Sequence, residues 1–534
     1  MKRLSILPIL ILLAAGITGA NAQSNAHRKL RMAEMAINQF YVDSVNEGRI
    51  VEDAIRGMLR SLDPHSQYTS AEETKKFQEQ LNGNFSGIGI SFNMTGDTVR
   101  VISTVSGGPS ERVGILPGDR IVAVNDTVIA GKKMDTADVM KRLRGPKGSM
   151  VNIKIFRPSG AGFDAIDFRI KRDEIPIYSV DAAYMIDDKT GFIRINKFGA
   201  ETAKEVVQAL RNLKKEGMKQ LIIDLVDNTG GYLNAAVDIL GELLEPGSRT
   251  VYTEGRKSPR TDNYSHPSGR EPLFNNGRLV VMANQYSASA AEIAAGAIQD
   301  WDRGLIVGRR TFGKGLVQRP IPFPDGSMMR LTVAHYYTPS GRDIQKPYAK
   351  GNSNAYNLDI LDRFNHGELM HEDSVKHDES LRVSTLRRHR PIYGGGGIYP
   401  DKFVGLDTTD NSRYYRDVMA KGTILKFANN YVDANRKKIR KQFKTDTDYL
   451  RGFKITDEML AELSRMAEAD GVKLNEEEAR RSAPLFSMVL KALIGRDIYD
   501  QATYFKVYNE YDPIFREAYR LINSEDYDRL LSPQ

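Results

Sequence analysis

Apolar residues along this chain change their spacing more than once, and each change marks a part of the molecule. Within residues 28 to 80, Val51, Ala54, Ile55, Met58, Leu59 and Leu62 recur at intervals of three and four, the period of an amphipathic helix that packs along one stripe. Asp63-Pro64 ends that helix, because proline cannot continue it. From about Asn82 to Arg172 the pattern turns to short strands punctuated by glycine, FSGIGISF, TVRVISTV, DRIVAVND and MVNIKIFRP, with one helical stretch, DVMKRLRG. This predicts a small β-rich module. From about Tyr184, apolar strands (GFIRINKF, QLIIDLV, GRLVVMAN, GLIVGRR) alternate with helical segments (AKEVVQALRNLKKEG, NAAVDILGELL), the signature of an α/β core whose sheet is covered on both faces.

Residues 346 to 390 are polar, with clusters of Asn, His and Arg and weak periodicity, and read as a long surface insertion. After Asp401 the chain is mainly helical, with starts at Thr456-Asp457 and Asp512-Pro513. Tyr504, Tyr508 and Tyr511 follow helical spacing there and are expected to form a core stripe. The expected organisation is a leader over 1–22, a helical region over 23–81, the β module over 82–172, the α/β core over 173–405 with its insertion, and a helical domain over 406–534.

A length of 534 residues with 41% hydrophobic and 27% charged positions fits a globular chain of several domains. The first residues, MKRLSILPILILLAAGITGANA, join a basic start, an apolar run and the small-residue site Ala20-Asn21-Ala22. They read as a secretory signal peptide, since the run from Leu4 to Ala15 is shorter than the ~20 residues of a membrane span. Export to a bacterial periplasm or cell envelope is expected. There is no cysteine, so neither a disulfide nor a thiol nucleophile is available. The net charge of +8 is a weak basic bias, and its densest cluster, Asn435 to Lys444, reads as a solvated helix face rather than a nucleic-acid site.

The chemistry concentrates between Asn284 and Gln318. A strand runs into a small-residue turn holding Ser287 and Ser289, then an Ala-rich helix begins. A serine there is either a helix cap or a nucleophile beside free backbone N–H groups. Lys314 sits in the turn Thr311-Phe312-Gly313-Lys314-Gly315, where flanking glycines allow a lysine to point inward, although an isolated lysine in a loop is nearly always solvated. No histidine stands where a Ser-His triad would need one, and His366, His371, Glu372 and His377 lack metal-ligand spacing. No metal and no cofactor is expected.

The run from Ser287 to Ile293, followed by Thr311 to Gly315 and Gln318, resembles the catalytic segment of the C-terminal processing, or tail-specific, peptidases, which are serine peptidases with a Ser-Lys dyad. LDPHSQY, the GIGI strand, GILPGDRIVAVN, DLVDNTGGYLNAAV, YYTPSGRDIQ and GGGGIYPD resemble the recurring blocks of that family, in its order, over about residues 30 to 405. The resemblance implies a crotonase-like α/β peptidase core with an inserted PDZ domain. It makes Ser289 the nucleophile, Lys314 the general base and Gln318 the residue orienting the lysine. It puts the oxyanion donors at Ala290 and the pair Gly230-Gly231, and the capture of a peptide C-terminus at Gly87, Ile88, Gly89 and Ile90.

A lysine acts as a base only when neutral, so its pKa must fall from about 10.4 towards ~7 or 8, which burial achieves. Gln318, being uncharged, would not reverse that. The family's Arg and Pro are replaced by Val226 and Thr229, which implies a less rigid oxyanion loop. The expected activity is that of an exported endopeptidase acting on protein tails, with adaptor binding or self-association through the C-terminal helices. The competing readings are an inactive PDZ scaffold and an acyl-CoA enzyme of crotonase-like fold; a leader and a PDZ domain argue against the second.

Overall fold

The computed structural model describes residues 25–94, 97–159, 162–266 and 271–532. The leader expected over 1–22 lies outside the described residues. A six-stranded sheet forms the centre, in the order Val180–Met185, Thr190–Ile195, Gln220–Asp224, Leu279–Ala283, Leu305–Gly308, Lys402–Phe403. The first pair is antiparallel and the other pairs parallel. Its strands are apolar on both sides because both faces are covered. The helices Thr202–Lys215, Leu233–Gly241 and Ala290–Asp300 bury Ile193, Leu221, Ile223, Leu279 and Val281 on one face.

The cover on the other face comes from the far end of the chain. Ile514, Phe515, Ala518, Leu521 and Ile522 of the helix Pro513–Ile522, with Tyr527 and Leu531 of the next, pack on Phe192, Ile222, Val280, Met282 and Val307. The C-terminal helices therefore serve two cores. Residues from Tyr414 to Val507 build a core of their own, and the last two helices belong to the peptidase sheet. The expected tyrosine stripe is corrected in part: Tyr504 packs against both cores, but Tyr508 and Tyr511 are exposed, and the helix Gln501–Asn509 buries Phe505 and Val507. The adjoining faces are shared between two cores, so simple helical spacing did not reveal the buried side.

The β module has its own core around Val99, Ile121, Val151, Ile153 and Ile170. The strands that enter and leave it, Asn84–Gly87 and Asp173–Pro176, pair antiparallel, as an inserted domain requires. It also touches the C-terminal helices: buried Arg100 donates to Asp433 Oδ1 (2.6 Å) and Asn429 Oδ1 (2.8 Å) and pairs with Asp497. At the N-terminus, helices span Asn25–Phe40, Glu47–Arg60 and Ala71–Asn82. The stripe on the second is not a packing face throughout, because Leu59 is buried while Met58 is 51% exposed. No helix of the described residues is long and apolar enough to cross a membrane.

Candidate active site

Three loops leave the carboxyl ends of adjacent parallel strands, where open α/β sheets gather their functional groups. They follow Asp224, Ala283 and Gly308. Backbone hydrogen bonds knit them together, Ala288 N–H to Asn228 O (2.9 Å) and Phe312 N–H to Ser287 O (3.0 Å).

The two serines of the middle loop separate cleanly. Ser287 is buried, and its hydroxyl donates to Leu225 O (2.7 Å) while accepting from Asn284 N–H (2.9 Å), so it locks the turn. Ser289 is half-buried and stands at φ +59° and ψ −116° at the start of the helix Ala290–Asp300. A side chain in that region costs on the order of 1–3 kcal/mol and persists only where the surroundings impose it.

Glu292 does the imposing. Fully buried, it accepts at Oε2 from Ser289 N–H (2.8 Å) and Lys314 N–H (2.9 Å), and at Oε1 from Gly313 N–H (2.7 Å) and Thr311 Oγ1 (2.5 Å). One oxygen atom thus ties the serine to the lysine. Burial pushes the Glu292 carboxyl up, while four donated hydrogen bonds favour its ionised form. Tyr336, also buried, spans the same pair from the other side, its hydroxyl contacting Ser289 O (3.1 Å) and Lys314 O.

Lys314 has its pKa lowered to about 8, chiefly by burial and then by the Arg330 guanidinium, against the opposing pull of Glu292 and Asp63. Among the described residues no carboxylate forms an ion pair with its ammonium. His65, beside it, is held down to about 3 by burial and by the charge of Lys314, and its Nε2 meets Tyr356 Oη at 2.7 Å. The LDPHSQY block is brought here because Gln67–Thr69 pairs antiparallel with Met328–Arg330.

Gln318 is not joined to the lysine by a hydrogen bond. Its Nε2 donates to Leu316 O (3.2 Å) and to Thr332 Oγ1 (3.4 Å), which in turn donates to Asp63. A bulge between Val317 and Gln318 sets that orientation. The glycine pair also divides. Gly230 N–H is committed to Asn228 Oδ1 (2.8 Å), whereas Gly231 N–H and Ala290 N–H find no acceptor among the described residues. A Cβ on Gly230 would collide with Ala288 O (2.6 Å) and Ser289 Cβ (2.7 Å), so only glycine lets the loop lie against the serine. The loop is held despite lacking the family's Arg and Pro. Asn228 Nδ2 donates to Ile195 O (2.8 Å), Asp227 pairs with Asn284 (2.7 Å), and Arg194 reaches Val226 O (3.2 Å) from the neighbouring strand.

Residues 189–352 match Peptidase family S41, 100–157 the PDZ domain, 14–74 the activating protease CtpB N-terminal domain, and 414–500 a family of unknown function. The carboxy-terminal-processing protease of Bartonella bacilliformis is 34% identical over 343 residues, 63% of this chain and 77% of that protein. The carboxy-terminal processing protease CtpB of Bacillus subtilis is 33% identical over 367 residues, 67% of this chain and 74% of that one. The chain belongs to the carboxy-terminal processing proteases. A probable CtpA-like serine protease of Staphylococcus aureus is 34% identical over 330 residues, 61% of this chain and 64% of its own length. Among solved structures, the photosystem II D1 C-terminal processing protease is 28% identical, covering 60% of this chain and 90% of its own, with a TM-score of 0.33.

This carboxy-terminal processing protease is a serine-type peptidase with a PDZ domain. In the PDZ domain a groove of about 240 Å³ runs between the strand Ile90–Met94 and the helix Thr136–Leu143, lined by Phe85, Ile88, Phe92, Met140 and Leu143. Gly89 stands at φ +75°, and the N–H groups of Ile88 and Gly89 donate to nothing among the described residues. Gly87 is paired in the entry strand. The residues that sequence reasoning did not single out are Glu292, Tyr336, Asn228, Asp63 and His65. All five lie inside the family segments already quoted, but only the fold shows that their polar atoms meet at the serine and the lysine.

Proposed function

We propose that the protein is an exported endopeptidase that captures C-terminal tails of protein substrates in its PDZ groove and cleaves them through Ser289 and Lys314. The observation that carries this reading is the lysine itself: a buried amine with a pKa of about 8, its backbone tied to that of Ser289 through one Glu292 oxygen. At pH 7 about one such amine in ten is neutral, against fewer than about one in a thousand for a free lysine. The neutral amine takes the Ser289 hydroxyl proton as Oγ adds to the scissile carbonyl. The oxyanion forms against the N–H groups of Ala290 and Gly231, each such donor contributing roughly 3 to 4 kcal/mol. Collapse expels the amine product, which leaves with the proton from Lys314, and water then releases the acyl group by the same route in reverse.

Gln318, in this reading, acts through Thr332 and Asp63, whose carboxylate faces the ammonium. The mainly parallel sheet with helices on both faces supports a crotonase-like core. The free N–H groups at Ile88 and Gly89, ahead of an unpaired strand edge, support binding of a terminal carboxylate with the peptide added as a strand. The leader supports export. Purified protein incubated with an unstructured polypeptide, beside its Ser289→Ala and Lys314→Ala variants, tests the reading. Parent cleavage with none in either folded variant is expected, and cleavage by Ser289→Ala would sink it.

A further inference from the structure

The segment 346–390 lies mostly at the surface, as expected, but it is anchored by side chains its polarity did not mark as buried: Lys346, Tyr356, Arg363 and Arg390. Its helix Asn354–Asn365 packs against the loop that carries Lys314. Arg363 donates through Nη2 to Arg310 O (2.7 Å), through Nη1 to Thr311 O (3.1 Å) and through Nε to Glu368 Oε1 (2.8 Å). Glu368 in turn accepts from Arg310 Nε (2.7 Å) and Nη2 (2.6 Å). Two successive carbonyls and one side chain of the lysine loop are therefore gripped by buried Arg363 and its partner Glu368.

The grip continues along the loop. Lys346 N–H donates to Gly313 O (2.9 Å), and Gly315 N–H donates to Gln345 Oε1 (2.9 Å). The Lys346 ammonium is fixed by Asp359 Oδ2 (2.9 Å) and Tyr356 O (3.1 Å), with the ring centres of Phe312 and Tyr356 at 4.0 and 4.1 Å. Thr311 N–H reaches Ile398 O (3.1 Å), and Tyr336 N–H reaches Gly315 O (2.8 Å). With the bonds from Glu292 and Tyr336 Oη, every backbone N–H and C=O of Thr311, Gly313, Lys314 and Gly315 has a partner. A loop of two glycines has no such rigidity of its own.

We propose that the 346–390 segment is a brace for the lysine loop, with Arg363 as the positioning residue that holds Lys314 where Ser289 can reach it. The proposal rests on Lys314 being the general base. Glu292 fixes the loop from the serine side and Arg363 from the outside. A lysine stem has four rotatable carbon bonds, so its amine is only as well positioned as the backbone beneath it, and a displacement of about 1 Å costs on the order of a hundredfold in rate. The groups acting on the amine are Arg330, Glu292 and Asp63, with His65 beside it; from the brace Lys346 and Tyr356 face His65, and Arg363 is not among the charges that act on the amine. Loosening the brace therefore acts by admitting water and not by removing a neighbouring charge.

Arg363→Met keeps the stem and removes all three donations. Expected are a fall in kcat of about tenfold or more with KM little changed, a rising pH limb displaced upward as water reaches the amine, and faster amide exchange in residues 311–315 with the central strands unchanged. Arg363→Lys, whose ammonium cannot span both carbonyls, should fall between parent and Arg363→Met. Glu368→Gln gives the same directions with smaller effect and serves if Arg363→Met fails to fold. A folded Arg363→Met protein with parental kcat, limb and exchange overturns the brace. So does a loss of activity that only follows the unfolded fraction, with limb and exchange unmoved. Hydrolysis surviving in Lys314→Ala would instead overturn the base assignment, while faster exchange at 311–315 would still report the brace.

Discussion

At the scale of single residues, the electrostatics around Lys314 give testable signs. Arg330 lowers the lysine's pKa by repulsion, second to burial. Arg330→Gln should therefore raise it, move the rising limb of kcat/KM to higher pH, and reduce activity at pH 7 by roughly twofold to fivefold while sparing it at pH 10. A limb that moves downward would show that the guanidinium does not act on the amine by its charge. His65 carries a different consequence. Its folded pKa of about 3 lies below the ordinary 6.5, so the unfolded chain binds the extra proton between those values, and stability falls as pH drops through that window. The loss by pH 4 should be roughly 1–3 kcal/mol. His65→Gln should flatten the slope of Tm against pH between 6.5 and 4, and an equally steep slope in that variant would assign the acid lability elsewhere.

At the scale of elements, the helices Pro513–Ile522 and Asp526–Leu531 matter out of proportion to their place at the chain's end. They cover Phe192, Ile222, Val280 and Met282, side chains at the middle of the peptidase sheet. Uncovering one large apolar side chain costs about 1.5–3 kcal/mol, so losing the whole layer exceeds the stability of a typical domain. A chain ending at residue 500 should accumulate in the insoluble fraction with no cooperative unfolding transition. A soluble truncated protein with a cooperative melt would refute the two-faced core. The Asp512-Pro513 start marked the first of these segments as a helix. A helix start cannot tell which of two cores the helix joins, because it records nothing of what covers the helix. The stripe from Val51 to Leu62 is the converse case, with helical spacing intact but Val51, Met58 and Leu62 left exposed.

At the scale of the molecule, Arg100 links the PDZ domain to the C-terminal helices through Asp433, Asn429 and Asp497. Removing one partner of a buried pair leaves the others uncompensated, at about 3–5 kcal/mol. That exceeds what a small polar interface between domains can absorb. Arg100→Ala should free the PDZ domain, giving a larger radius of gyration by small-angle scattering and faster proteolysis near residues 84–87 and 173–176. An unchanged scattering curve would show that other contacts hold the domain.

The sequence by itself determined the elements and the chemical vocabulary: the strand-turn-helix around Ser289, the glycine-flanked Lys314, the β-rich insert and the family blocks. Those depend on local periodicity and on residue types adjacent in the chain. It did not determine which N–H groups are free, since Gly230 is silenced by Asn228 only once the loop closes. Nor could it separate the turn-locking Ser287 from the accessible Ser289 beyond the resemblance. The polar segment 346–390 is the clearest case. Its charges look solvated along the chain, but Arg363 and Glu368 find their partners, among them Arg310, only when the fold brings them together. Whether a charge lies in water or in a buried network is decided by partners distant in sequence, and only the tertiary structure supplies them.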